Sequence, residues 1–121
     1  MAAATITETV LKRNTAAARP ATVAVNSADG LYIDMLGADH KLLITLENSD
    51  TSAGVVAKIV GGEGPMAMGD LNVEITSSGA SVINIESGRY MQKNGKILIK
   101  GFAANGTTAS DKVKVSAIFL P

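Results

Sequence analysis

Short runs in which apolar and polar residues alternate recur along most of the chain. From residue 22 onward they return at intervals of about ten residues, as the strands of all-β proteins do. None of them has the 3.6-residue period of an amphipathic helix. The predicted strands are Thr22–Val25, Leu31–Met35, Lys41–Asn48, Gly54–Val60, Leu71–Ile75, Val82–Glu86, Lys96–Lys100 and Val113–Leu120. The pattern predicts an all-β fold, a single compact β-sandwich or jelly-roll-like domain of about eight short strands.

The stretch from Ser81 to Gly101 carries the strongest local signal. Asn94-Gly95 lies between two alternating apolar runs, and a tight hairpin turn favours residues that accept a positive φ. The pattern therefore predicts that Val82–Glu86 and Lys96–Lys100 pair as a central hairpin. Gly54–Val60 is apolar at nearly every position, which places it in the interior of a sheet or against a partner.

Residues 1–21 differ from the rest of the chain. Two alanine triplets, which favour helix, flank a Thr–Ile–Thr–Glu–Thr–Val alternation, which favours strand. Pro20 restricts the preceding residue to extended backbone and marks a boundary. The sequence predicts an extended N-terminal arm over residues 1–21, with a short strand at Thr5–Val10, and a β-sandwich domain over residues 22–121.

Two interpretations of this arm remain open. It is either a loosely held terminus or a segment that becomes ordered only against a neighbouring subunit. Its larger apolar side chains would favour burial, and its arginines could contact a partner. The candidate contact residues in the arm are Ile6, Val10, Leu11, Arg13 and Arg19.

Composition narrows the classes of function. The 121 residues suit one domain, and four aromatic residues without tryptophan predict an aliphatic core. Eleven basic and eleven acidic residues balance, so attraction to nucleic acid or to an anionic membrane is not expected. Without cysteine there are no disulfides or thiolate metal ligands. No apolar run approaches the ~20 residues of a membrane span, and the first residues lack a secretory signal, which predicts synthesis in the cytoplasm.

Candidate catalytic and metal-binding residues are few. His40 follows Asp39, but the pattern brings no nucleophile to this one imidazole, which favours a histidine in a surface turn. Asp29, Asp34 and Asp39 recur every five residues, and this spacing differs from that of a calcium-binding loop. Aspartates that stabilise turns are the preferred interpretation. No catalytic residue, cofactor site or metal site is predicted.

Two further segments could contact a partner. Gly61–Pro65 resembles a phosphate-binding loop but lacks the following Lys-Ser/Thr, and its proline removes an N–H donor. A surface loop is therefore favoured, in which Met66 and Met68 form a contact patch or cover the end of the core. Arg89 and Tyr90 are residue types favoured at interface hot spots, although a solvated arginine beside a half-buried tyrosine is the simpler interpretation.

The last fifty residues contain a recognisable series of short motifs. GDLNVEI (69–75), IESGRY (85–90), NGKILIKG (94–101) and KVKV (112–115), running to a terminal Leu-Pro, resemble small capsid decoration (cement) proteins of tailed bacteriophages. The resemblance implies a compact β-fold on the outer surface of the virion capsid. It also implies a homotrimer whose partner is the major capsid protein, with an N-terminal arm that reaches neighbouring subunits. No catalytic motif accompanies this family.

Other classes of function remain as alternatives. Another virion structural part, such as a tail-tube or head–tail joining subunit, is close to the first hypothesis. A carbohydrate-binding β-sandwich generally needs exposed aromatic rings, and this chain has no tryptophan and two tyrosines. An enzyme would have to work around a single histidine. The sequence therefore predicts a non-enzymatic structural protein that stabilises a capsid.

Overall fold

The longest strands follow the alternation of buried and half-buried side chains. In the computed structural model, which describes residues 4–6, 8–34, 41–62 and 69–121, every second residue of Leu42–Asn48 is buried. In chain order the strands are β1 (Ala4–Ile6), β2 (Thr9–Val10), β3 (Val23–Ala24), β4 (Leu31–Asp34), β5 (Leu42–Asn48), β6 (Val55–Ile59), β7 (Leu71–Ile75), β8 (Ala80–Ile83), β9 (Lys96–Ala103) and β10 (Val113–Phe119). A single helical turn, α1 (Ser87–Tyr90), precedes β9.

These strands form two mixed sheets that pack as a β-sandwich. The first sheet has the strand order β1-β4-β9-β6-β7, and the second has the order β2-β10-β5-β8. Strands β2 and β3 both pair with β10, and β3 lies nearer to the start of that strand. The strands from β3 onward pair antiparallel, whereas β1 and β2 pair parallel with β4 and β10. The predicted all-β sandwich is confirmed.

The core between the sheets is aliphatic, as the composition predicts. Its largest fully buried side chains come from both sheets and include no aromatic ring: Val25, Leu31, Ile33, Leu42, Ile44, Leu46, Ile59, Ile97, Ile99, Val113 and Val115. Each such side chain contributes about 1.5–3 kcal/mol to stability through removal from water. Strand β6, apolar at nearly every position, lies between β9 and β7, in the interior of the first sheet as predicted.

Asn48 links the two sheets at the end of β5. Its side-chain Nδ2 donates to the carbonyl oxygens of Ala53 (2.9 Å), Thr76 (3.1 Å) and Ile75 (3.3 Å). Its Oδ1 accepts from the backbone N–H of Asp50 at 2.8 Å. Since Asn48 is 4% exposed, its amide forms hydrogen bonds with backbone groups that water does not reach. A strand of the second sheet is thereby tied to β7 of the first.

Strands β3 to β10 overlap the eight predicted strands, although β8 (Ala80–Ile83) begins and ends earlier than the predicted Val82–Glu86. The predicted central hairpin is wrong. Ile83 pairs with Ile44 in the second sheet, whereas Lys96 pairs with Asp34 in the first. The turn at Asn94-Gly95 does form, with Gly95 at a φ of 79°. Before this turn, the pairing with β9 is limited to one isolated bridge, between Met91 and Ile97. The helical turn α1 connects β8 of the second sheet to this bridge. A turn motif specifies a local reversal, not the sheet that its flanking segments join.

The N-terminal segment pairs with its own chain. Ala4–Ile6 pairs with β4 at the edge of the first sheet, and Thr9–Val10 pairs with β10 in the second. Glu8 therefore lies where the chain crosses between the two sheets. The short strand predicted at Thr5–Val10 corresponds to these two pieces, and the domain division at residue 21 stays a prediction.

Candidate functional site

The apolar contact candidates of the N-terminal segment are engaged within the molecule. Ile6 pairs with Ile33 and packs, partly buried, against the core. Val10 pairs with Phe119 and remains 50% exposed. The backbone N–H of Leu11 donates to the carbonyl of Phe119 at 2.9 Å. Of these three candidates, Val10 is the one whose side chain is substantially available to a partner.

The basic contact candidates belong to an exposed loop. All eight residues from Lys12 to Arg19 are exposed, three of them are cationic and none is acidic. The ends of this stretch, here called the cationic loop, are fixed because β2 and β3 both pair with β10. Lys12 and Thr15 bridge across a tight turn in which Asn14 has a φ of 58°. Arg13 and Arg19 are therefore displayed by a loop anchored at both ends.

Arg89 and Tyr90 lie in α1 and have different environments. The Arg89 Nε lies 3.5 Å from the Glu86 Oε2, and the Arg89 side chain is 42% exposed. Tyr90 is half-buried and packs against the core. The carbonyl of Arg89 accepts from the N–H of Gly62 at 2.7 Å, which fixes the turn to the end of β6. Arg89 is thus accessible, whereas most of Tyr90 is structural; a partner contact by either residue stays a prediction.

Several predicted features lie outside the described residues. These are Met66 and Met68, together with His40, Asp39 and residues 63–65 of the glycine-rich loop. Within the described ranges, no group of three or more histidine, cysteine, aspartate or glutamate side chains could hold a metal ion. In those same ranges no helix is long and apolar enough to cross a membrane. The described residues therefore provide no candidate metal-binding site.

A shallow cavity of about 250 Å³ lies beside the paired strands β6 and β7. Gly54, Val56, Glu74 and Thr76 are among its lining residues. Its polar side chains are one exposed carboxylate and one hydroxyl, without an imidazole or amine to activate them. Nucleophilic catalysis requires such a base within hydrogen-bond reach. The described lining of this cavity therefore does not provide a catalytic pair.

The outward side of the first sheet carries a mixed apolar and basic surface. Strands β4, β6 and β9 alternate between core-facing and outward-facing residues, and their registers align the outward positions in rows. Six outward-facing side chains at the centre of this side are here called the outer patch. Five of them are half-buried, namely Tyr32, Lys58, Leu98, Lys100 and Phe102, and the sixth, Val56, is 6% exposed. Two of the four aromatic residues of the chain lie in this patch.

Two lysines stand directly opposite each other in the outer patch. Lys58 of β6 is the register partner of Lys100 of β9. On its other side Lys58 is opposite Asn72 of β7, which is neutral. The Lys58 Nζ lies 4.6 Å from the centre of the Phe102 ring, a cation–π contact. Neither lysine forms an ion pair with a carboxylate of the described residues.

The outward side of the second sheet has a different character. Lys114 of β10 is opposite Glu47 of β5, so the directly facing charges are of opposite sign. Ser116 faces Thr45 and is 6% exposed although it points away from the core. Arg19 and Pro20 border a cavity of about 240 Å³ above this surface. The end of the cationic loop therefore lies over the second sheet.

Glu8 is a buried carboxyl group that no other described residue satisfies. It is 5% exposed, and neither side-chain oxygen has a hydrogen-bond partner. Burial raises the pKa of Glu8 above its ordinary value, the backbone N–H of Glu8 opposes this rise, and the negative charge of Asp34 adds to it. A second acid has the opposite shift, since hydrogen bonds from the backbone N–H and hydroxyl of Ser52 lower the pKa of Asp50. Within the described ranges, Glu8 is thus a buried acid without a hydrogen-bonding side-chain partner at the crossing between the sheets.

Sequence reasoning missed the outer patch. Lys96–Lys100 has a lysine at each end of three aliphatic residues, which indicates a strand. It does not show that Lys58 lies opposite Lys100, because those residues are far apart in the chain. No local pattern could have found this pair, since its register depends on which strands are neighbours.

No protein-family model, curated protein sequence or solved structure matches this chain.

Proposed function

We propose that this protein is a structural component of a bacteriophage virion that binds the outer surface of the capsid and stabilises adjacent subunits. Two things support the proposal: the resemblance of residues 69–121 to capsid decoration proteins, and a β-sandwich fold of the kind that this resemblance implies. Strands β7 to β10 are built from that region and supply parts of both sheets. The function is non-enzymatic, the partner is the major capsid protein, and the assembled form is a homotrimer.

The observation that carries the proposal is the anchored cationic loop. A free arm would lose about 1–2 kcal/mol of backbone entropy per residue on binding. The parallel pairing of β1 and β2 has already fixed the chain before this loop, and β3 fixes it afterwards. The loop therefore presents Arg13 and Arg19 to a capsid surface with a smaller ordering cost. Val10, which is 50% exposed at the end of β2 just before the loop, adds an apolar contact.

Stabilisation by such a protein is mechanical. Each copy touches more than one capsid subunit, so separating the subunits requires breaking the contacts that the copy makes with them. A specific protein interface buries about 1,600 Å² in total. Many copies on one capsid multiply a modest contribution from each site. The capsid then resists internal pressure without any chemical step.

A sedimentation experiment with capsids tests this function. The full-length protein is mixed with undecorated capsids assembled from the major capsid protein encoded in the same genome, and the bound copies are counted after centrifugation. Saturable binding at a fixed copy number is the expected result. Absence of binding to capsids overturns the proposal, and selective binding to tails would replace it by the tail-component alternative.

The role of the loop is tested by paired charge reversals. Deletion of residues 1–20 would also remove β1 and β2, so point substitutions are cleaner. We expect the double substitution R13E and R19E to reduce capsid affinity about tenfold or more, through loss of complementary charge. The matched control is K93E with K112E, which reverses two exposed cations elsewhere. Equal binding by both double variants would exclude the cationic loop as the contact while leaving capsid binding itself intact.

The homotrimer is tested on the free protein. Sedimentation equilibrium should give three times the chain mass of 12.4 kDa. A monomer at all concentrations would contradict this part of the proposal.

A further inference from the structure

The outer patch has an electrostatic arrangement that the protein itself leaves unbalanced. Like charges directly opposite each other on one face of a sheet are destabilising, because their Cβ atoms are only about 4.5–5.5 Å apart. Lys58 and Lys100 occupy such a pair, and no described carboxylate forms an ion pair with either. An acid at position 72 would face Lys58 directly, yet Asn72 stands there. A carboxylate brought from outside between the two ammonium groups would relieve this repulsion.

The surroundings of the two lysines indicate which anionic partner suits them. Tyr32, Leu98 and Phe102 flank the lysines on the same face and give apolar and aromatic contact area. Protein interfaces are enriched in aromatic side chains, and charged groups there act mainly through complementarity of sign. The face therefore combines an apolar surround with a small cationic centre.

The rim of the same face argues against nucleic acid. Glu74 of β7 points outward on one side of the outer patch, and Asp34 of β4, which is opposite Lys96 of β9, points outward on the other side. A phosphate backbone is uniformly negative and would meet these carboxylates wherever it extended beyond the lysines. A protein partner can instead place one acidic residue at the two lysines and neutral or basic residues at the surrounding carboxylates.

We infer that the outer patch is a docking surface for an acidic patch of another protein, with Lys58 and Lys100 together binding a carboxylate. This surface is separate from the cationic loop, whose end lies over the second sheet. The inference does not require that the partner be a capsid subunit. A protein that is also held through its cationic loop could use the outer patch to reach a second partner.

The test uses the full-length, isotope-labelled protein and two probes of known chemistry. Poly-L-glutamate supplies carboxylates and oligothymidylate supplies phosphates at the same concentration of charge. Amide chemical shifts are followed during each titration. We expect poly-L-glutamate to cause saturable shifts centred on Lys58, Lys100 and Phe102, with weaker binding of oligothymidylate.

Substitutions separate docking from folding. K100E should weaken poly-L-glutamate binding about tenfold or more, a difference equivalent to about 1.4 kcal/mol. The same substitution should raise the thermal midpoint, because it replaces a repulsive cross-strand pair by an attractive one. A loss of binding together with a gain in stability cannot be explained by misfolding. The matched control K114E, on the second sheet, should change the affinity less than about twofold.

Three results would overturn the inference. The first is a set of shifts centred outside the outer patch, or unchanged binding by K100E. The second is oligothymidylate binding as tightly as poly-L-glutamate at this patch, which would assign the face to nucleic acid. The third is concentration-dependent shifts at the patch without any probe, which would assign it to a second copy of this chain. None of these outcomes depends on the capsid experiment, so the two proposals can fail separately.

Discussion

The two outward faces of the sandwich differ in the charge pair between their interior strands, although the first sheet also has Asp34 opposite Lys96 near its edge. On the second sheet, Glu47 and Lys114 face each other across β5 and β10, so that face balances itself. On the first sheet, Lys58 and Lys100 face each other across β6 and β9. Both pairs lie between interior antiparallel strands, so strand geometry does not distinguish them. The difference is in the side chains. On the first sheet the two facing lysines repel each other, and a carboxylate from a partner would reduce this repulsion.

The two faces also differ in what lies beside them. Arg19 and Pro20 border a cavity above the second sheet, and the outward-facing Ser116 is buried. The outer patch of the first sheet contains two aromatic rings, one of them in contact with Lys58. A face that balances its own charges gains little from a partner. Aromatic side chains are enriched at protein interfaces, and cations that form no ion pair among the described residues can complement an acidic partner.

The two faces can be compared only if both sheets belong to one rigid body. A substitution at Asn48, which links the sheets, tests this and has the largest expected effect. N48D replaces a donor by a carboxylate that faces the carbonyl oxygens of Ala53, Ile75 and Thr76. We expect the free energy of unfolding to fall by about 2–4 kcal/mol, the cost of an unsatisfied buried charged group. Urea denaturation measures the loss, and amide hydrogen exchange should accelerate on both sheets together.

The matched control for this variant is N72D, the same substitution at an exposed position of β7. It places a carboxylate opposite Lys58 and should leave stability unchanged or slightly raised. Similar losses in N48D and N72D would mean that Asn48 does not hold the sheets together.

The next largest expected effect on stability comes from Glu8, which lies where the N-terminal segment crosses between the two sheets. Burial raises the pKa of the folded carboxyl above the ordinary value of 4.5, so the folded state binds this proton more tightly than the unfolded chain. This contribution to stability is complete below the ordinary pKa and is lost as pH rises through the folded pKa. E8Q removes the buried charge but leaves a buried amide, so its effect on the free energy of unfolding should be more favourable at neutral pH than at acidic pH.

The pH dependence is the informative measurement for Glu8. Urea denaturation of wild type and E8Q should show that the effect of E8Q on stability is more favourable at pH 7 than below about pH 4. The control is E74Q, an exposed glutamate of the outward face, for which little difference is expected at either pH. An effect of E8Q on stability that is the same at both values would contradict the role assigned to the buried charge.

The smallest effect tests the charge comparison itself. K114E would place two acids opposite each other on the second sheet, and we expect stability to fall by about 1 kcal/mol. K100E would create an attractive pair on the first sheet, and we expect a gain of about 0.5 kcal/mol. Thermal denaturation at low salt measures both, and both differences should shrink in high salt through screening. Shifts of the same sign in the two variants would remove the distinction between the faces.

Much of the strand pattern is readable without the structure. The segment predicted at Leu71–Ile75 has the same bounds as β7, and the one predicted at Lys41–Asn48 differs from β5 by one residue. These successes have a physical basis, because alternation and β-branched side chains act within a few neighbouring residues. The turn at Asn94-Gly95 also forms where it is predicted. The hairpin predicted around it does not form, because that turn constrains only the residues beside it.

The candidate contacts divide in the same way. Sequence alone identified Arg13 and Arg19 as basic residues of an N-terminal segment, and they lie in an exposed loop. It could not show that Ile6 packs against the core of its own chain, since that depends on parallel pairing with β4. Glu8 resembles any other polar residue of an alternating run, and its burial follows from the crossing between the sheets.

The amino-acid sequence by itself determined an aliphatic, all-β molecule with strands at fixed places, because hydrophobic alternation and turn chemistry are local properties. Only the tertiary structure decided which strands are neighbours. That decision separated β8 from β9, anchored both ends of the cationic loop on β10, and brought Lys58 opposite Lys100. Strand pairing depends on how all the apolar faces can be buried at once, and that is a property of the whole chain.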